Sequence, residues 1–204
     1  MRAHTGGTAV PRDTDVRDFD SAGFREALSH YASGLTVVTG IDDDGPVGFT
    51  CQSFYSVSMD PPLVSISVMR TSDSYPRLRR SGRFAVNVLS AAQQPLSEQF
   101  ARKGVDRWTG VGWTQSPSGN PLLRESLLWV DCELWAEHEA GDHLIVIGHV
   151  QNLGRAEPAA AAPLIFYRGR YHELSGAPSH IGSGSTHIEA TASGSGAQGN
   201  GAPR

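Results

Sequence analysis

The run Thr50-Cys51-Gln52-Ser53 sets a hydroxyl, a thiol, an amide and a second hydroxyl on successive residues, between Gly48 and the Pro61-Pro62 break. With the backbone N–H groups of a strand end, such a run can donate to a polar ring edge, or its hydroxyls can simply bond their own backbone. Cys51 has no basic neighbour in sequence to lower its pKa and no second cysteine nearby to resolve it, so it reads as a buried thiol rather than a nucleophile. A second cluster, Arg70-Thr71-Ser72-Asp73-Ser74-Tyr75, follows an apolar run and precedes Arg77, Arg79 and Arg80. Short hydroxyls, loop N–H groups and a guanidinium suit a phosphate or diphosphate; the competing reading is a solvated turn and a basic helix face. Arg77, Arg79 and Arg80 themselves read as surface charge. Arg102 and Lys103 close a helix, where cations complement the helix dipole whatever else they bind. His143 opens a strand in a Gly-Asp-His turn, a place where the ring commonly bonds a backbone carbonyl.

The elements that must carry these residues are mostly strands. Ser21 as N-cap, followed by Phe24, Ala27, Leu28 and Tyr31 at spacings of three and four, predicts a short amphipathic helix over Asp20 to Tyr31. Apolar, β-branched runs separated by turn residues predict strands over Leu35 to Ile41, Val47 to Phe54, Leu63 to Val68 and Phe84 to Leu89. Further strands are expected over Leu127 to Ala136, His143 to Leu153 and Pro163 to His172. Arg77 to Ser81 and Pro95 to Ala101 read as short helices, and Gly110 to Pro121 as loop. Hairpin-sized connections among six or more strands favour an antiparallel barrel over a βαβ sheet. Trp129 fits core or subunit packing, while Trp108 and Trp113 lie in a Gly-rich loop with no role assigned.

The chain has 204 residues, 39% hydrophobic, enough for one core without disulfide or metal staples. With 17 basic against 21 acidic side chains there is no global field to draw a polyanion, which argues against nucleic-acid binding. No window is long and apolar enough to cross a bilayer, and residues 1–18 lack the apolar core of a secretory signal, so the expectation is a cytoplasmic protein without a membrane partner. Two cysteines, Cys51 and Cys132, make no disulfide framework, and the scattered histidines offer no metal site. There is no G-x-G-x-x-G, no Walker A loop, no H-E-x-x-H and no G-x-S-x-G, which removes Rossmann, NTPase, zincin and α/β-hydrolase readings. The expected organisation is an arm over 1–18, one domain over 19–174, and a Gly/Ser/Ala-rich tail over 175–204 too polar to offset its ordering entropy.

Five strings in register, Ala32 to Gly40, Gly48 to Val68, Ser81 to Ser90, Gly141 to His143 and Pro163 to Tyr171, resemble the short-chain flavin reductases, the reductase components of two-component flavin-dependent monooxygenases. The resemblance implies a mainly β fold with a few short helices, the FMN-binding split β-barrel, assembled as a homodimer. It implies reduction of free FAD or FMN by NADH or NADPH, with FAD and NADH preferred, and delivery of reduced flavin to a partner monooxygenase. Such chemistry needs orientation and hydrogen-bond donors more than acids and bases, because the cofactors carry the electrons. On that resemblance the flavin ring and ribityl chain lie along Thr50, Cys51, Gln52 and Ser53, with Ser56 and Val57 just beyond. The phosphate end meets Arg70, Thr71, Ser72, Ser74 and Tyr75, with Arg102 and Lys103 nearby. His143 stands on the nicotinamide side, and Phe166, Tyr167, Arg168 and Gly169 meet the pyridine nucleotide. The alternatives are a split-barrel oxidase with tightly bound FMN and a flavin carrier that has lost hydride transfer.

Overall fold

The structure of the chain, a computed structural model, describes residues 19–155 and 162–174; the expected arm and tail lie outside them. In chain order the elements are α1 (Ser21–Leu28), β1 (Ser33–Gly34), β2 (Thr36–Asp42), β3 (Gly45–Cys51), β4 (Phe54–Met59), β5 (Pro62–Met69), α2 (Tyr75–Ser81), β6 (Arg83–Val88), a 3-10 turn (Ala91–Gln93), α3 (Gln94–Ala101), β7 (Trp113–Gln115), β8 (Pro121–Leu123), β9 (Leu128–Ala140), β10 (His143–Arg155), β11 (Leu164–Tyr167) and β12 (Arg170–Glu173). The fold is mainly β with few helices, as expected. Among the described residues no helix is long and apolar enough to cross a membrane.

Seven strands form one antiparallel sheet in the order β3-β2-β6-β9-β10-β5-β4. Its two edge strands are consecutive in the chain and joined only by Gln52 and Ser53. From Cys51 to Phe54 the chain can span no more than about 11 Å, so the sheet must curl until its edges meet at this corner. Ser53 fastens the meeting point: its Oγ accepts from the Ser67 backbone N at 2.9 Å and donates to the Ser67 carbonyl at 3.1 Å. The inner face of the curled sheet holds the larger core, with Val38, Ile66, Phe84, Val86, Val130 and Val146 at alternating strand positions.

A second core sits on the other side of β2. Leu35, Leu89 and Leu164 exchange backbone hydrogen bonds in a ring, Leu35 N to Leu164 O at 3.2 Å, Leu164 N to Leu89 O at 3.0 Å and Leu89 N to Leu35 O at 2.9 Å. Their side chains pack with Val37, Phe100 and Leu123. β2 therefore lies between two apolar masses, which is why Thr36 through Gly40 are all buried instead of alternating. Phe100 of α3 presses on Gly48, where an added Cβ would lie 2.8 Å from Phe100 Cε1 and 2.9 Å from the Val38 carbonyl.

Four details depart from the sequence reading. The N-cap of α1 is Asp20, whose side chain accepts from Gly23 N, one residue ahead of the expected Ser21. The expected strand over Val47 to Phe54 breaks at the corner, and Phe54 starts the separate edge strand β4. The stretch expected as loop, Gly110 to Pro121, contains β7, which pairs with β8 at and just beyond its end. The last expected strand is a hairpin of β11 and β12, turned at Arg168-Gly169.

Arg77, Arg79 and Arg80 are structural ion-pair partners. Arg77 forks onto Asp42, its Nε 2.9 Å from Oδ2, and Arg80 meets the same oxygen at 2.9 Å, which ties α2 to the β2–β3 turn. Gly82, at φ 66°, ends α2 in the left-handed conformation that favours glycine. The hydrogen bond from Arg77 holds the Asp42 carboxyl well below the usual carboxylate range, assisted by the Arg77 charge and by Arg80. A depressed folded pKa gives stability that is whole above the unfolded value and drains as pH falls toward the folded one. Asp42→Asn is expected to lower the urea midpoint at pH 7, and the gap to wild type to close as pH falls from about 5 to about 2; a gap independent of pH would show that the ion pair contributes nothing.

Candidate functional site

The corner between β3 and β4 opens into a cleft of about 560 Å³. Its floor is the strand end Thr50-Cys51-Gln52-Ser53 together with Ser67 to Met69 of β5. Thr50 turns its hydroxyl to the Ser97 carbonyl at 2.6 Å, so it anchors α3 while its backbone lines the cleft. Cys51 Sγ lies 3.4 Å from Ser53 Oγ; burial pushes its thiol pKa up, which leaves it protonated and unreactive. Cys132, in the larger core, is pushed up to about 12 by burial and the neighbouring Asp131. Both cysteines are free.

One stretch of the wall is polar and cationic: Ser72, Asp73, Ser74, Lys103 and Arg107. Arg107 was not singled out from the sequence, yet it organises this stretch. Its Nη1 donates to Ser74 Oγ at 2.7 Å and to the Gly48 carbonyl at 2.9 Å, and its Nε donates to the Arg102 carbonyl at 2.5 Å. Three chain segments are thus gathered by one guanidinium. Among the described residues neither Lys103 nor Arg107 has an ion-pair partner, so the cleft carries two cations against the single carboxylate of Asp73. The remaining wall includes Leu35, Phe49, Phe166 and Tyr171.

A second cleft of about 850 Å³ backs onto the first and shares Gln52, Ser53, His143 and Phe166 with it. Arg168 and Gly169 line it, as do side chains of α1. His143, half-exposed in this shared wall, is held through Nδ1 at 2.7 Å from Asp142 Oδ1, leaving Nε2 as the free ring nitrogen. The same hydrogen bond lowers the Asp142 pKa.

Not every expected site residue lines these clefts. Ser56 and Val57 sit on the outer side of edge strand β4, where the pairing with β5 is bulged. Arg70 is exposed and pairs with Glu139 at 3.4 Å, and Thr71 lies in the turn after β5. Tyr75 is buried in the larger core, with its hydroxyl donating to Glu137. Arg102 contributes its carbonyl to Arg107, and Tyr167 packs edge-on against His30 and His172. Trp108 meets Phe100 edge-on, and Trp113 in turn meets Trp108 edge-on. Besides Arg107, the sequence reading passed over Ser67, Phe100 and Tyr171. Ser67 and Tyr171 fall inside two of the strings that carry the resemblance, but nothing local marks them or Phe100 as cleft residues; they reach the cleft through the curl of the sheet and the packing of α3.

Residues 28–175 match the family model described as flavin reductase like domain. The chain belongs to the flavin reductase family. It is 42% identical over 171 residues to the reductase subunit HsaB of a flavin-dependent monooxygenase from Rhodococcus jostii (strain RHA1), covering 84% of this chain and 85% of that one. Nitrilotriacetate monooxygenase component B from Mycobacterium thermoresistibile has a similar structure, with TM-score 0.74, 36% identity, and coverage of 79% of this chain and 92% of that one. NADH:FAD oxidoreductase SgcE6 from Streptomyces globisporus C-1027, solved with NAD and FAD fragments, gives TM-score 0.73 at 34% identity, covering 79% of this chain and 95% of that one.

The residues of the first cleft fit the nucleotide such a flavin reductase uses. Uncompensated cations beside serine hydroxyls suit phosphate, and the rest of the wall supplies apolar surface for a planar ring. Arg107→Ala is expected to weaken FAD binding about tenfold, read by flavin fluorescence titration, with Arg107→Lys intermediate because it keeps the charge and loses the fork. Equal affinity in all three proteins would remove Arg107 from the flavin site.

Proposed function

We propose that the chain is an NADH:flavin oxidoreductase that reduces free FAD and passes the reduced flavin to a partner monooxygenase. The observation that carries this reading is the pair of clefts sharing the wall of Gln52, Ser53, His143 and Phe166. Two ligands bound there meet at these shared residues, where a nicotinamide can stack on one face of the flavin ring with the reacting atoms about 3 to 3.5 Å apart, the arrangement a direct hydride transfer requires. Bound there, NADH supplies a hydride that the flavin accepts, yielding NAD+ and reduced flavin without a protein-borne intermediate.

The protein residues then bind and orient. Thr50, Cys51, Gln52 and Ser53 form the floor for the flavin ring. Ser72, Ser74, Lys103 and Arg107 hold its phosphates. His143 and Phe166 border both ligands where they meet, with the Asp142 hydrogen bond fixing the imidazole. Arg168 and Gly169 serve the nicotinamide nucleotide. FAD and NADH are preferred because the similar SgcE6 is an NADH:FAD oxidoreductase, and a monooxygenase partner because the similar HsaB is a reductase subunit of such an enzyme. We place this exchange in the cytoplasm, where both nucleotides are available.

A homodimer is part of the same reading. The outer sheet face exposes Trp135 at 57% and Ile145 at 37%, large apolar groups of the kind that a subunit interface covers. Trp135→Arg is expected to shift the sedimentation mass from dimer to monomer; a wild-type protein that sediments as a monomer would end the dimer proposal.

The deciding experiment is anaerobic NADH oxidation by the purified protein with FAD, FMN or riboflavin added separately. Rapid turnover that depends on free FAD is expected; flavin that co-purifies and is not bleached by NADH would point instead to an oxidase or carrier. In the same assay Gln52→Trp should abolish turnover in a folded protein, because Gln52 lines both clefts without fastening the corner, and His143→Ala should raise the KM for NADH without changing FAD affinity. Normal kinetics in either variant would displace the corresponding ligand from this wall.

A further inference from the structure

α1 has no buried side chain, although it is only eight residues long. An isolated helix of that length is not stable in water, so tertiary contacts or a ligand must support it. The described contacts are few: the Arg168 backbone N donates to the Ser29 carbonyl at 2.9 Å, and the His30 ring meets Tyr167 edge-on at 6.4 Å. These fix the helix beside the β11–β12 hairpin; Phe24 stacks on Phe19 at 5.6 Å, and Arg25 and Leu28 have no such partner among the described residues.

That surface is a single face. Ser21, Phe24, Arg25 and Leu28, at positions i, i+3, i+4 and i+7, all line the cleft, and Tyr31 continues the line beyond the helix. Arg168 lines the same cleft and holds a left-handed φ of 50° in a two-residue hairpin turn where Asn or Gly is usual. The backbone tolerates that conformation at a cost, and Arg168 and Arg25 both contribute to the wall of this one cleft. Among the described residues neither arginine forms an ion pair, and the one carboxylate in the wall, Asp142, is engaged with His143. Two free guanidiniums between aromatic walls match a ligand with a flat base and adjacent phosphates.

We propose that this cleft holds the adenosine-diphosphate half of NADH, with Arg25 and Arg168 on its phosphates and Phe24 and Tyr31 against its adenine. The nicotinamide end then reaches the wall at His143 that borders the flavin cleft. This rests on the reductase reading and assigns α1, unused by it, as part of the substrate site. A second copy of the chain seated on α1 would cover the aromatic groups but would leave two guanidiniums to be neutralised.

Arg25→Ala tests the assignment, with Arg25→Lys as the conservative control. Against NADH, the KM of Arg25→Ala is expected to rise about tenfold, the loss of one charge-assisted phosphate contact, with kcat for FAD reduction little altered and Arg25→Lys intermediate. The decisive comparison uses N-benzyl-1,4-dihydronicotinamide, a hydride donor without phosphate or adenine: the ratio of kcat/KM for NADH to that for this donor should fall about tenfold in Arg25→Ala. An unchanged ratio overturns the proposal. Equilibrium titration with ADP-ribose, read by calorimetry, measures the same contact without turnover and should weaken by a similar factor. It tests Arg25 even in a protein that reduces no flavin, so failure of the reductase reading and failure of the Arg25 assignment are told apart. Equal ADP-ribose affinity in wild type and Arg25→Ala, or a sedimentation mass that halves in Arg25→Ala, overturns the assignment.

Discussion

The two-residue link between β3 and β4 is the constraint on which the rest of the molecule depends. Because Gln52 and Ser53 must carry the chain from one edge of a seven-stranded sheet to the other, the sheet has no freedom to lie open. Backbone pairing cannot run through the corner, and Ser53 replaces it by bonding both main-chain groups of Ser67 with one hydroxyl. Where the ladder stops, a gap is left, and the first cleft is that gap. The site is a consequence of how the sheet closes.

The rim of the gap is set by the second core. Phe100 sits against Gly48 because that strand position has no side chain, so α3 comes close enough to line the cleft and to take the Thr50 hydroxyl on the Ser97 carbonyl. The ring of hydrogen bonds among Leu35, Leu89 and Leu164 brings β11 against β2 and β6, which delivers Phe166 to the wall shared by both clefts. Arg107 then draws the loop after α3 back onto β3 and the start of α2. Strand and helix ends carry Thr50, Cys51, His143 and Phe166, the short links between elements carry the rest, and one loop guanidinium joins them.

Strand positions and the polar run at 50–53 were legible because alternation and turn residues act locally. The corner itself was not: Val47 to Phe54 is one apolar period in sequence, and only the pairing of Phe54 with Ile66 shows that the chain has changed edges. The serines at 72 and 74 announced a polar turn, but so did Arg70, and charge alone does not distinguish a cation that pairs with Glu139 on the surface from one that faces a cleft. Arg107 had no local signature, since its role comes from reaching segments 33 and 59 residues away. The stripe of α1 was read correctly as amphipathic, yet its apolar side faces a cleft and not a core, a difference that helical periodicity does not encode.

Cys51 shows what the curled sheet does to a reactive atom. Free reduced flavin meeting oxygen generates peroxide, and peroxide oxidises thiolates far faster than thiols. The cysteine lining this cleft is held by burial in the protonated form, with its sulfur enclosed by Ser53 and the Ser67 carbonyl. The corner that creates the cleft therefore also passivates it, so that the wall nearest the reducing chemistry is slow to age by oxidation.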